Sequence, residues 1–166
     1  MKGIILTVMW IGKIYTTKIH TWKIHTKSTK GAQRKKRRKK ERMEIINELS
    51  NKVIGCAIEV HKGLGPGLLE SAYQECLFYK LNKSGYFTEK QKALPLIFED
   101  VKMDVGYRID LMVEGILIIE IKAVDKISDI HISQLATYLK LSKCKLGLLL
   151  NFNVILLKDG IKRVIN

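Results

Sequence analysis

A chain of 166 residues is one domain's worth, and at 46% hydrophobic it can bury a core. Its net charge of +14 lies almost wholly in residues 1–43, which hold fourteen of the thirty Lys and Arg and one of the sixteen acids. Residues 44–166, with sixteen bases and fifteen acids, are close to neutral, which argues against a strongly basic folded surface. No run approaches the roughly 18 apolar residues of a membrane span. The three cysteines, Cys56, Cys76 and Cys144, have no zinc-ligand spacing and are too few for an iron–sulfur cluster. They read as reduced, mostly buried thiols, which places the chain in the cytoplasm.

Residues 1–43 read as an extension outside the domain. Ile4 to Ile11 is apolar, but no small-residue cleavage site follows, so it does not read as a signal peptide. Lys18-Ile19-His20-Thr21 recurs as Lys23-Ile24-His25-Thr26 without a packing period. The block Arg34-Lys35-Lys36-Arg37-Arg38-Lys39-Lys40-Glu41-Arg42 is expected to be disordered. Three readings stay open: a nucleic-acid-binding arm, a solvated tail, or an untranslated stretch. Purine-only codons can encode Lys, Arg and Glu, and bacterial ribosome-binding sites are purine-rich. Met43 would then be the true initiator, which the intact mass of natively expressed protein decides.

From Glu44 the pattern turns helical, with Leu49, Val53, Cys56, Ala57 and Val60 on one stripe. His61, near the helix end, reads as a surface or capping residue. Gly63-Leu64-Gly65-Pro66-Gly67 breaks the helix and lacks the lysine and spacing of a P-loop, so it reads as a tight connection. A second helix is expected from about Leu68 to Lys83, burying Leu69, Ala72, Tyr73, Cys76 and Leu77. Glu70 and Tyr73 share one of its faces. By position alone, Glu70 favours the helix dipole.

Strands follow. Gln91 to Phe98 carries Pro95, which marks an edge or a bulge. Glu99-Asp100 is a turn, and Val101 to Val105 leads into a hairpin over Gly106 to Val124. Ser128 to Leu141 reads as a helix and Leu146 to Phe152 as a buried strand. Val154 to Leu157 and Ile161 to Ile165 flank Asp159-Gly160, a second hairpin signal.

The central hairpin places charges inside apolar runs. Asp110 interrupts the first run, and Glu120 and Lys122 the second. Buried charges are normally paired or hold a metal. Glu120 and Lys122 lie on the same face of their strand, about 7 Å apart. Two carboxylates and a lysine converging there can bind a hard divalent cation and orient a water. A simple ion pair is the competing reading. The geometry sets a condition. A two-residue loop at Glu114-Gly115 would turn Asp110 and Glu120 to opposite faces. An odd-length loop or a bulge is required, and Gly115 suits a left-handed loop position.

Asp110 followed by Glu120-Ile121-Lys122 resembles the PD-(D/E)xK nuclease superfamily. Gly67-Leu68-Leu69-Glu70-Ser71-Ala72-Tyr73 resembles the motif of the GxxExxY family, a bacterial and archaeal branch of that superfamily. The resemblance runs from about Met43 to the C-terminus. It implies an α/β fold, a small mixed sheet flanked by helices with a restriction-endonuclease-like core, over 44–166. It implies hydrolysis of DNA or RNA phosphodiesters, with Mg²⁺ or Mn²⁺ held by Asp110, Glu120, the Ile121 carbonyl and Glu70. Lys122 would activate the water or neutralise developing phosphate charge. Gln134 and Tyr138 resemble the QxxxY motif of RecB-like nucleases and would, with Tyr73, position substrate.

Three functions follow: a metal-dependent nuclease acting on DNA in repair or mobile-element defence, a non-catalytic nucleic-acid-binding or assembly subunit, or a protein-interaction domain. A complete motif set favours the first, and near-neutral charge the second. The small size suits a homodimer or a partner subunit.

Overall fold

The computed structural model describes the backbone of residues 3–166, and the side chains of residues 30–166 except those of 97, 98, 102, 104 and 105. The chain divides into two compact units, residues 1–44 and 45–166. Helix α1 spans Gly3–Leu64. Within it, Arg34 to Arg42 is helical with every side chain exposed, where the charge run had suggested disorder. No described helix is long and apolar enough to cross a membrane.

In the second unit α1 buries Ile46, Leu49, Val53, Cys56 and Ala57, the expected stripe extended one turn earlier. The helix ends where Gly65 and Gly67 adopt left-handed φ values of 69° and 97°. Helix α2, Glu70–Lys83, buries Tyr73, Gln74, Leu77 and Leu81. Leu69 does not belong to that stripe: it precedes the helix and is 77% exposed. The buried stripe thus lies one turn further along than expected.

Five strands form one sheet in the order β1 to β5: β1 Thr88–Phe98, β2 Val101–Val113, β3 Leu117–Lys122, β4 Leu146–Asn151 and β5 Ile161–Ile165. β1–β2, β2–β3 and β4–β5 are antiparallel, and β3–β4 is parallel. The parallel pair needs a crossover, which α3, Asp129–Ser142, supplies. The register of β1 shifts between Leu94 and Leu96, at Pro95, as a proline without an N–H requires. Glu99 and Asp100 make the turn, both at positive φ.

β3 and β4 are buried on both faces, and largely apolar for that reason. Ile118 and Leu149 pack with Leu135, Tyr138 and Leu139 of α3. Gly147 lets Leu135 close onto the strand: a Cβ there would sit 2.7 Å from its Cδ1. The alternate residues Ile119, Ile121, Leu148 and Leu150 are equally buried on the face turned from α3.

The C-terminal hairpin differs from expectation. Val154 to Leu157 is not a strand; Leu157–Gly160 forms a 3-10 turn, and β5 pairs with β4 instead. Asp159-Gly160, expected as a hairpin turn, close the 3-10 turn instead, and the free edge of β4 takes the last strand. Gly160 lies so close to the Asn151 carbonyl that a Cβ would overlap it.

Candidate active site

The β2–β3 turn decides the site. Ile116 N–H closes onto the Val113 carbonyl at 3.1 Å, across Glu114 and Gly115 at φ 51° and 65°. Both values are left-handed, as in the tight turns that suit strand twist. Yet Val113 pairs with Leu117, not Ile116. Ile116 is therefore an extra residue, and the loop has the odd length the carboxylates need. One step beyond the Leu111–Ile119 pair, Asp110 stands opposite Glu120.

At Asp110 the ladder ends and its side chain takes over. Oδ2 accepts the Ile121 N–H at 2.9 Å. Oδ1 accepts from Gln91 Nε2 at 3.2 Å, and the Asp110 carbonyl from Gln74 Nε2 at 2.8 Å. Burial pushes the Asp110 carboxyl above its ordinary range; the Ile121 N–H, Lys122 and Gln91 oppose that, and Glu70 adds to it.

Glu120 is 2% exposed. Its Oε1 accepts from Lys122 Nζ at 2.7 Å. Its Oε2 is buried and, among the described residues, has no hydrogen-bond partner. Burial, then the nearby charge of Asp110, raise this carboxyl to about 7 against the pull of Lys122. Burial works to lower the Lys122 ammonium, but Glu120, Glu70 and Asp110 outweigh it and raise it.

Glu70 reaches the same strand end, its Oε1 accepting the Ala123 N–H at 2.9 Å. A cleft of about 560 Å³ opens here, lined by Leu68, Glu70, Gln74, Gln91 and Asp110 among others. On α3, Gln134 Nε2 donates to Tyr138 Oη at 2.7 Å. Tyr138 packs against Tyr107, ring centroids 5.6 Å apart. Burial chiefly raises its phenol against the hydrogen bond from Gln134, and the charges of Glu120 and Asp110 add to the rise.

Tyr73 is placed differently from its expected substrate-positioning role. It is fully buried and stacks on Phe152 at 4.4 Å. Its hydroxyl donates to the Gly65 carbonyl at 2.6 Å and accepts the Leu68 N–H at 3.1 Å. It meets the site only by pinning the loop that leads into Glu70. His61 is buried too, its Nε2 2.8 Å from the Val154 carbonyl.

Three site-shaping residues escaped the sequence reading. Gln74 stood four residues from Glu70, a spacing that could have found it. Asn151 ends β4 and brackets Val124, donating to its carbonyl at 2.7 Å and accepting its N–H at 3.1 Å. A polar residue closing an apolar strand was the signal. Gln91 carried none.

The donor set fits a hard divalent cation: carboxylate oxygens, one of them buried and unpartnered. Among the described residues no three acids, histidines or cysteines close into a ready cage. Asp110 and Glu70 are each turned to a backbone N–H instead.

A mixed α/β sheet thus carries two acids and a lysine at the broken end of one hairpin. The sequence profile of the PD-(D/E)XK nuclease superfamily matches residues 47–164, and the chain belongs to that superfamily. No curated protein and no solved structure matches it significantly.

Proposed function

We propose that the chain is a metal-dependent nuclease that hydrolyses phosphodiester bonds of DNA, in the GxxExxY branch of its superfamily. The observation that carries this is the unpartnered Oε2 of buried Glu120, opposite Asp110 and on the same carboxylate as the Lys122 pair. A half-satisfied buried carboxylate is costly, and an ion is what would complete it. Asp110 and Glu120 would hold Mg²⁺ or Mn²⁺, with Glu70 near. Bound there, the ion acidifies a water and stabilises phosphate charge.

The chain's own residues do the rest. Lys122 offers its ammonium to the oxygen that gains charge as the bond breaks. Gln134, half-buried on α3, would meet the substrate, while Tyr138, buried in the core, holds its amide through the hydroxyl. Glu70 holds the backbone after Lys122 in place through Ala123. The three free cysteines, two of them buried, support a cytoplasmic setting. The small size supports a second copy or a partner subunit. A non-catalytic DNA-binding subunit is the second reading. It is favoured by the near-neutral charge of residues 44–166 and by the turning of Asp110 and Glu70 to backbone N–H groups.

The test is cleavage of single- and double-stranded DNA by the full chain with Mg²⁺ or Mn²⁺, beside Asp110→Ala and Lys122→Ala. Cleavage that both substitutions abolish supports the nuclease. DNA binding without cleavage under either metal transfers the proposal to the binding subunit.

A further inference from the structure

Gln91 has a backbone that its sequence does not explain. The pairs on either side, Lys90 with Leu111 and Lys92 with Ile109, put it opposite Asp110. Row by row, Gln91, Asp110 and Glu120 thus stand at one level of three adjacent strands. Yet Gln91 has φ 53°, a left-handed value inside a strand. Glycine takes that conformation freely and asparagine tolerates it, whereas glutamine is strained there. Strain of this kind persists where surrounding structure holds it, and it gathers at functional sites.

What the strain accompanies is a single contact, Nε2 to Asp110 Oδ1 at 3.2 Å. The other polar atoms of Asp110 are held from elsewhere: Oδ2 by the backbone of β3, and the carbonyl by buried Gln74 of α2. Among the described residues, Oδ1 is held by exposed Gln91 alone. Gln91 and Asp110 both line the 560 Å³ cleft, so their contact lies at its wall. The amide is neutral. It donates to the carboxylate without adding a further negative charge beside Glu70 and Glu120.

We propose that Gln91 is a positioning residue for Asp110: its left-handed backbone aims the amide at Oδ1 and sets that oxygen for a divalent cation. The role rests on the metal-dependent reading above. Hydrogen-bond partners of ligating carboxylates typically govern affinity by about ten- to hundredfold.

The experiment compares the full chain with Gln91→Gly and Gln91→Ala, reading Mn²⁺ affinity without DNA and the melting temperature. Both variants should bind Mn²⁺ about tenfold more weakly. Gln91→Gly should melt higher than Gln91→Ala, because glycine relieves the backbone and alanine does not. Wild-type Mn²⁺ affinity in both variants overturns the proposal and leaves the nuclease reading standing. A lower melting temperature for Gln91→Gly with Mn²⁺ affinity intact makes the residue purely structural, and also overturns it. A wild-type chain that binds no Mn²⁺ removes both readings together.

Discussion

Asp110 replaces a backbone group with a side chain: its Oδ2 takes the Ile121 N–H at 2.9 Å, just where the β2–β3 ladder stops. One carboxylate therefore has a structural duty and a proposed chemical one, and substitutions can separate them. Asp110→Asn keeps an acceptor for Ile121 and removes the charge. It should hold its stability while cleavage falls at least a hundredfold. Asp110→Ala leaves the N–H without a partner and should cost about 1–3 kcal/mol as well. Denaturant melts of both variants beside a cleavage assay check this; equal stability loss in the two would sink the separation.

Glu120 makes stability depend on pH in an unusual direction. Its carboxyl is raised from 4.5 to about 7, first by burial and then by Asp110. Between those values the folded state binds more protons than the unfolded one. Folding stability from this group is therefore fully present below about 4.5 and lost as pH rises through 7. Glu120→Gln removes the ionisation. It should melt higher than wild type at pH 8, by the few degrees that about 1–2 kcal/mol gives a domain of this size. The gap should close by pH 5. Added Mn²⁺ should raise the wild-type melting temperature at pH 8 and leave Glu120→Gln unmoved. Melts across that pH range, with and without the ion, decide it; a variant less stable than wild type at pH 8 counts against the buried charge.

Much of this site was legible because parity is strict in strands. The spacing of Asp110 and Glu120 around Glu114-Gly115 required one extra loop residue, and Ile116 is that residue. The sheet class, the crossover helix and the bulge at Pro95 follow equally from local pattern. Where the reading failed, the deciding partner was distant in sequence. Tyr73 was expected at the site from the resemblance of the Gly67–Tyr73 motif. Its hydroxyl is taken by the glycine-rich loop and its ring by Phe152, which no local period announces. Leu69 looked buried by spacing, but the helix begins after it. The last hairpin did not form: Asp159-Gly160 lie in a 3-10 turn, and the open edge of β4 takes the final strand.

Tyr73 can be tested through the part of it that does not stack. Tyr73→Phe keeps the ring on Phe152 and deletes two hydrogen bonds, to the Gly65 carbonyl and from the Leu68 N–H. Both backbone groups lie near the surface, so water recovers part of the loss. The expected cost is about 1–2 kcal/mol. The freed loop should also loosen the start of α2, raising hydrogen exchange at Leu68 to Ser71. A variant as stable as wild type, with unchanged exchange there, would mean that the loop is held by its glycines and Pro66 alone.

The basic segment carries the last expectation. Residues 45–166 form the unit with the candidate site, and residues 44–166 are almost neutral. Little in that balance supplies affinity for a polyanion. Arg34 to Arg42 does, with eight cations and Glu41 as its one acid, all exposed along a helix. Phosphate contacts release counterions, so each one steepens the fall of binding with salt by about 0.9 in the log–log slope. Replacing Lys35, Lys36, Arg38 and Lys39 with glutamine should flatten that slope by up to about 3–4 for duplex DNA. Mn²⁺ affinity should stay as it is, since these residues lie outside the unit that holds the carboxylates. An unchanged salt slope would assign DNA affinity to the domain surface and leave the basic helix without a part in binding.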